Sequence, residues 1–281
     1  MSEKVRVCLI TRFSIVIDSK VHSWRRLRNP IDPRSWIAAR NPSREEKVAY
    51  LFDPARMEQR FHRFETLLLP SLAAQTEAAE HIVLASELMP DPDRARLEAL
   101  SKRHGFRLHF AGTKRKVERI LTEDGLIDLD GCDRLATARI DDDDAVARGF
   151  VRQVRRHARM DLDDYLVSFP KGIYLDQRTV PNRYAPVIHP NASCGLTRIV
   201  RKRKKTLSIH GAGDHRHAHH SFPVLQVPSR EMFLSTAHGD NISRRLFLRR
   251  LPGGKPLTAE AAAHLQKRFG VDPRGLNVTT T

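Results

Sequence analysis

The sequence predicts an α/β fold built on a mainly parallel sheet with helices on both faces, and three observations predict it. Short apolar runs of buried-strand type alternate with segments of helical period along the first half of the chain. These strand and helix signals come in series, as repeated βα units that favour parallel pairing. Polar and charged residues fall just after the strands, at Thr11-Arg12-Phe13 and at Asp141–Asp144, where open sheets of this kind bind ligands.

The elements follow in order. Val5 to Ile10 reads as a first strand running into Thr11-Arg12-Phe13. Residues 19 to 54 are rich in Pro, Arg and Trp without a clean period, and are expected to form a long irregular insertion. From Pro54, Met57, Phe61, Phe64, Leu67, Leu68 and Leu72 recur at helical spacing, which predicts a helix broken near Pro70. His81 to Ala85 is a second strand, Asp93 to His104 a helix stopped by Gly105, and Phe106 to Phe110 a third strand. Leu135 to Ile140 is a further strand, and Ala145 to His157 carries a helical pattern. Tyr165 to Tyr174 reads as a strand pair joined by Pro170-Lys171-Gly172. Residues 1–160 and 161–281 are expected to form two halves of one domain.

Composition narrows the function classes. With 40% hydrophobic and 29% charged residues the chain has enough apolar content for an ordinary buried core. No apolar run approaches the roughly 20 residues of a membrane span, and Met1-Ser2-Glu3-Lys4 has no signal-peptide layout. Three scattered cysteines, Cys8, Cys132 and Cys194, give neither a disulfide framework nor a zinc site, so a cytoplasmic location is expected. A net charge of +16 implies an anionic partner: nucleic acid, anionic lipid or a nucleotide-linked substrate. Aromatic content of 6% and the lack of a nucleic-acid motif argue against nucleic acid. The densest basic run, Arg198 to Lys205, is expected to be a surface loop or edge, either merely solvated or touching an anionic membrane at its inner face.

The chemistry concentrates in Asp141-Asp142-Asp143-Asp144, four consecutive carboxylates at a strand end. Such a row repels itself, and its oxygens suit a hard divalent cation, Mg²⁺ or Mn²⁺, that keeps positions open for phosphates. The competing reading is a solvated acidic turn at a helix N-terminus. Arg12, behind the first strand, and Arg139, just ahead of the cluster, are candidate bidentate phosphate partners, although each serves equally well in a surface salt bridge. No G-x-G-x-x-G and no G-x-x-x-x-G-K-[ST] occurs, which disfavours dinucleotide and P-loop readings.

Four segments, Thr11 to Ser14, Arg60 to Glu65, Leu69-Pro70-Ser71-Leu72-Ala73-Ala74-Gln75-Thr76 and Arg139 to Ala145, resemble the bacterial putative rhamnosyltransferase family, related to glycosyltransferases of the GT-A fold. The resemblance spans roughly residues 5 to 245 in order, with short firm parts; the 19–54 insertion and the His-rich stretch stand outside it. It implies a GT-A-like sheet, a nucleotide-sugar donor, a divalent metal and a saccharide or glycolipid hydroxyl as acceptor. It places Thr11, Arg12, Phe13, Arg139 and Asp141 at the donor, makes Asp141 and Asp143 the Asp-x-Asp pair, and puts Asp142, Asp143, Asp144 and a returning His238 near the metal. Asp142 with Asp144 is a second possible pair. Gly239-Asp240-Asn241 reads equally as an ordinary turn.

Five histidines lie between His210 and His220, flanking Asp214 among glycines. The H-x-H-x-D-H order of dinuclear zinc hydrolases is absent, so the stretch reads either as a solvated loop or as an acceptor-side loop carrying the general base. Asp214 is the first candidate for that base, ahead of His210 and His215. The leading function is thus a metal-dependent sugar transferase. Its rivals are a nucleotidyltransferase or phosphohydrolase, and a non-catalytic basic protein that binds nucleic acid or membrane.

Overall fold

The computed structural model describes residues 3–17, 43–202, 204–239 and 254–278. Its first strand, β1 (Val5–Phe13), buries both faces, because alternate side chains enter two different cores. Val7, Leu9 and Phe13 join the larger core, and Cys8 and Ile10 the smaller. Such two-sided burial is what a central parallel strand requires.

The expected irregular insertion does not survive intact. Residues 19–42 lie outside those described, but α1 (Arg44–Leu51) occupies its later part. Ser43 accepts from the Glu46 amide while Glu46 reaches back to the Ser43 amide, a capping box that satisfies two helix-end donors. The helix from Pro54 forms as expected in kind: α2 (Pro54–Arg63) starts on an Asp53 cap, with the proline where a missing N–H costs nothing. It then widens into a π turn, Phe64–Leu68, and resumes as α3 (Leu69–Ala73). Pro70 has no N–H to give, and the wider turn directly before it takes up that mismatch without ending the helix.

The next units are β2 (Glu80–Ser86), α4 (Asp91–His104), β3 (Arg107–Ala111) and α5 (Val117–Glu123), followed by β4 (Arg134–Arg139). Gly105 ends α4 at φ 71°, a left-handed position that glycine adopts without strain. The helix expected over Ala145–His157 begins later: Ala145–Val146 is a short strand, β5, and α6 spans Phe150–His157. The strands β6 (Asp164–Ser168) and β7 (Lys171–Asp176) form where expected but are not a hairpin, since they enter different sheets. After β8 (Arg183–Ile188) come β9 (Thr197–Val200), β10 (Val224–Gln226), β11 (Phe233–Ala237), β12 (Lys255–Pro256) and α7 (Ala259–Phe269).

The large sheet runs β10-β6-β9-β4-β1-β2-β3, and the small one β12-β8-β7-β11-β5. In the large sheet β3, β2, β1 and β4 are parallel, as predicted, while β9 enters antiparallel to both β4 and β6. The mainly parallel α/β class therefore holds. The two chain halves share the large sheet, with β6, β9 and β10 continuing it beyond β4.

The basic run Arg198–Lys205 is not a single surface loop. Its first three residues lie in β9, where Arg198 is buried against Asp164 at 2.8–2.9 Å and stacks 4.7 Å from the Phe222 ring. Arg201 and Lys202 then pair with Asp161 and Asp163.

The Leu69–Thr76 segment has a positioning role. Ser71 Oγ accepts from the Val146 amide, and Gln75 donates to the Ala147 carbonyl while accepting from the Val151 amide. These contacts fix the backbone that leads out of the carboxylate cluster.

Candidate functional site

The parallel register of β1 and β4 sets Arg12 and Asp141 side by side at the carboxyl ends of the strands. Asp141 is held by Arg139, at 2.6 Å and 3.1 Å, and more loosely by Arg12 at 3.5 Å. Burial opposes its charge, but the two guanidinium groups outweigh burial and keep the carboxyl far below the usual range. Arg12 and Arg139 are therefore both ion-paired to Asp141.

A third arginine, not singled out from sequence, completes the group. Arg60, on α2, straddles the buried Asp142 at 2.6 Å, bonding Oδ1 with Oδ2 alongside. Burial, opposed by Arg60 and reinforced by Asp143 and Asp141, pushes Asp142 up to about 6. Arg56, one turn earlier, sits 4.9 Å from the Tyr50 ring. Among the described residues, the Nε atoms of Arg12, Arg56 and Arg60 are buried without hydrogen-bond partners. A buried donor left unpaired is costly, and three together suit a ligand rich in acceptor oxygens. The sequence did carry a signal for Arg60: Arg56 and Arg60 share one helix face at i, i+4, beside Met57 and Phe61, which enter the core.

Asp143 and Asp144 are fixed from the other side, by β11. Antiparallel pairing of β5 with β11 sets Ala145 opposite Leu234 and Val146 opposite Phe233. That register carries Thr236 to the cluster, where its hydroxyl donates to the Asp143 carbonyl and its amide to Asp144. Two residues later His238 Nε2 reaches Asp143 Oδ2 at 2.7 Å. Burial works against the Asp143 charge, yet the His238 contact outweighs it and lowers the carboxyl, whereas burial together with Asp143 and Asp141 raises Asp144 well above the usual range.

No group of three or more His, Cys, Asp or Glu among the described residues is arranged to enclose a metal ion. Of the residues expected near a metal, Asp143 and His238 meet directly, and the atoms that could serve as ligands, Asp143 Oδ2 and His238 Nε2, are engaged with each other at 2.7 Å. Asp142 and Asp144 lie behind that pair, one on Arg60 and one on the β11 backbone. Asp240 and Asn241, read as a possible turn, lie outside the described residues.

Thr11 and Phe13, expected at the donor, turn their side chains inward. Thr11 Oγ1 faces His81 at 3.1 Å, and Phe13 packs on Phe61 and Phe64 at 4.8 Å and 5.1 Å; both side chains are fully buried. Alternation along β1 turns Arg12 toward the cleft and its neighbours inward.

The His-rich stretch folds against the site. Its first part is a short 3₁₀ turn, Ile209–Ala212, pinned by two anchors: Glu118 accepts from the Leu207 and Ser208 amides and the Ser208 hydroxyl, and Thr137 accepts from the Ile209 amide at 2.9 Å. Gly211 is required there, since a Cβ would stand 2.5 Å from that of Thr206. His210 is brought within electrostatic reach of Arg12, Arg139 and Asp141, and its Nε2 is buried without a partner. Burial first, and then the two arginines, hold it well below the usual histidine range. His215 is pushed down to about 4 by burial and Arg139. Asp214 turns instead to Arg216, whose Nε lies 3.0 Å away, and that pairing holds its carboxyl strongly acidic.

Three comparisons bear on this arrangement. A family model described as putative rhamnosyl transferase matches residues 7–250. A search of curated proteins finds no match. Among solved structures, the chain is similar to S. aureus TarS 1–349 in complex with UDP, at 11% identity and TM-score 0.41, covering 93% of this chain and 70% of that one. It is also similar to S. aureus TarS, at 11% identity and TM-score 0.35, covering 94% of this chain and 42% of that one. A third is a putative glucose-1-phosphate thymidylyltransferase from Bacillus anthracis in complex with a sucrose, at 9% identity and TM-score 0.33, covering 82% and 88%.

Proposed function

This chain belongs to the putative rhamnosyl transferase family and is a glycosyltransferase, and we propose from that premise that it uses the β1–β4–β11 strand ends to transfer a sugar from a nucleotide-sugar donor to a hydroxyl of a saccharide or glycolipid. The observation that carries the reading is the meeting of Arg12, Arg60 and Arg139 with the Asp143–His238 pair, an anion-binding edge beside a two-donor cation corner. Rhamnose is the first sugar to test, because the family description names it.

In this reading Asp143 and His238 would exchange their mutual contact for Mn²⁺ or Mg²⁺, which would neutralise charge on the leaving diphosphate. Arg12 and Arg60 present donors to the same phosphates. The acceptor oxygen attacks the anomeric carbon, the bond from that carbon to the diphosphate oxygen breaks, and the leaving diphosphate keeps the electron pair. The acceptor proton goes to the imidazole of His210, which burial and the nearby arginines favour in its neutral form in the free protein. Bound diphosphate would offset Arg12 and Arg139, the cations that weaken His210 as a base, so the donor itself would make the base stronger. Asp214 is the second candidate, since His215 Nδ1 lies 3.6 Å from its Oδ1 and links it to the same loop. Residues 1–160 would supply most of the donor site and 161–281 the acceptor side together with His238, in the cytoplasm and next to the inner membrane face where glycolipid acceptors reside.

A thermal-shift panel of nucleoside diphosphates and nucleotide sugars, with and without Mn²⁺, tests the reading, because a ligand bound only by the folded state raises the melting temperature. One nucleotide should stand out and depend on the metal. A flat panel, with no sugar transferred from any donor, would overturn the proposal.

A further inference from the structure

The net charge of +16 is unevenly placed, and its most regular part lies away from the carboxylate cluster, on α6. Val151, Val154 and Ala158 face the core, which puts Arg152 and Arg156 on the outward face of α6 at i and i+4, with Arg159 in the turn just after the helix. All three are exposed. Arg148 and Lys267 extend the row at its N-terminal end, where the Arg148 side chain donates to the Lys267 carbonyl at 2.9 Å and both residues are exposed. The one inward-leaning arginine of the helix, Arg155, is different: it is neutralised by Glu77 at 3.1 Å. Among the described residues none of Arg148, Arg152, Arg156, Arg159 or Lys267 has a carboxylate partner.

We infer that this face is a docking surface for an anionic lipid bilayer. Its shape and composition favour lipid over nucleic acid. The helix presents arginines without an exposed aromatic ring on which bases could stack, since Phe150 is buried. Three residues after Arg159, Leu162 is 39% exposed, an apolar group between Asp161 and Asp163, which are paired to Arg201 and Lys202. No helix among the described residues is long and apolar enough to cross a membrane, so the contact is peripheral. The run Arg198–Lys205 is a weaker site for it, because Arg198 is buried and Arg201 and Lys202 are paired to Asp161 and Asp163. The inference does not depend on the transfer reaction, since these side chains lie outside the proposed donor and acceptor groups.

The test is co-flotation of the full chain with vesicles of phosphatidylcholine alone or with roughly a third phosphatidylglycerol, over about 0.05 to 0.5 M salt. The wild-type chain should float with the anionic vesicles only, and lose that binding as salt rises. Replacing Arg152, Arg156 and Arg159 together by Ser should lower partition by roughly 100-fold or more, as expected for three lost surface cations, with an unchanged melting temperature. Replacing Lys204 and Lys205 by Ser, the same kind of change elsewhere, should cost far less. Equal binding to zwitterionic vesicles, an unaffected triple variant, or a larger loss in the lysine variant would overturn the assignment. So would tight binding of an oligonucleotide through the three arginines with no vesicle binding.

Discussion

His238 and Asp143 are 95 residues apart in sequence and 2.7 Å apart in space, joined by the β5–β11 register. Neither is reached by an arginine of the cluster as closely as Asp141 and Asp142 are. In the proposed reading they are the cation's two protein ligands, and their mutual contact sets them side by side.

Asp143→Ala and His238→Ala should therefore each remove the Mn²⁺-dependent part of nucleoside diphosphate binding, by on the order of 10–100-fold, while the metal-free part held by the arginines persists. Isothermal titration with and without a chelator reads the two parts separately. Asp144→Ala should act indirectly, since its carboxylate accepts from the Thr236 amide and so helps place His238. Undiminished metal-dependent binding in all three variants would remove the cation from this corner.

The His210 loop depends on Glu118, which is buried and accepts three hydrogen bonds from Leu207 and Ser208. Glu118→Ala leaves those donors unpaired and should cost about 1–3 kcal/mol for each that finds no water. The expected signature is a fall in transfer rate with donor affinity nearly unchanged, because Arg12, Arg60 and Asp143 are held by other elements. A chemical-denaturation midpoint measured alongside tells loop release from general unfolding. If donor affinity fell as far as the rate, the loop would belong to the donor site.

The proton acceptor can be assigned by two substitutions. His210→Gln should slow transfer by roughly 10²–10⁴-fold and leave nucleotide binding intact. Asp214→Asn should have a small effect, since this carboxylate is committed to Arg216 and strongly acidic. Full loss in Asp214→Asn with normal rates in His210→Gln would reverse the order and restore the residue that sequence reasoning placed first.

Much of this was legible in the sequence, for definable reasons. The strands and the carboxylate cluster were visible because two-faced burial and consecutive charges leave local signals in composition. Arg60 was hidden because its value comes from packing across to Asp142, 82 residues away. The inward turn of Phe13 was not legible from its place beside Arg12, because neighbours in a strand take opposite faces. The split of β6 and β7 between two sheets was equally invisible, since the Phe169-Pro170 link reads as an ordinary turn until the long-range pairings with β9 and β11 are known. The Arg198 run misled for the converse reason: a buried arginine paired with Asp164 looks, in sequence, like any other basic residue.

Acid sensitivity gives the last prediction. His81 lies on β2 with Nε2 3.1 Å from Thr11 Oγ1 and its ring 5.4 Å from that of Phe106. Burial, with a smaller push from His104, lowers it to about 3. The folded value is thus below the unfolded one, so the unfolded chain takes up a proton that the folded chain refuses as pH falls from 6.5 toward 3. Stability from this group is complete above the ordinary histidine value and is lost through that window, by about 2 kcal/mol at a pH of about 5. Asp142, raised to about 6, has the opposite sign, so the wild-type profile alone is not diagnostic. His81→Gln isolates the term, because glutamine can still bond Thr11 but takes up no proton. Urea unfolding at about pH 7 and about pH 5 should show a smaller acid loss in the variant than in the wild type, by up to about 2 kcal/mol. Identical losses in both would mean that His81 is protonated within the folded core, and that the Thr11 contact opens to water.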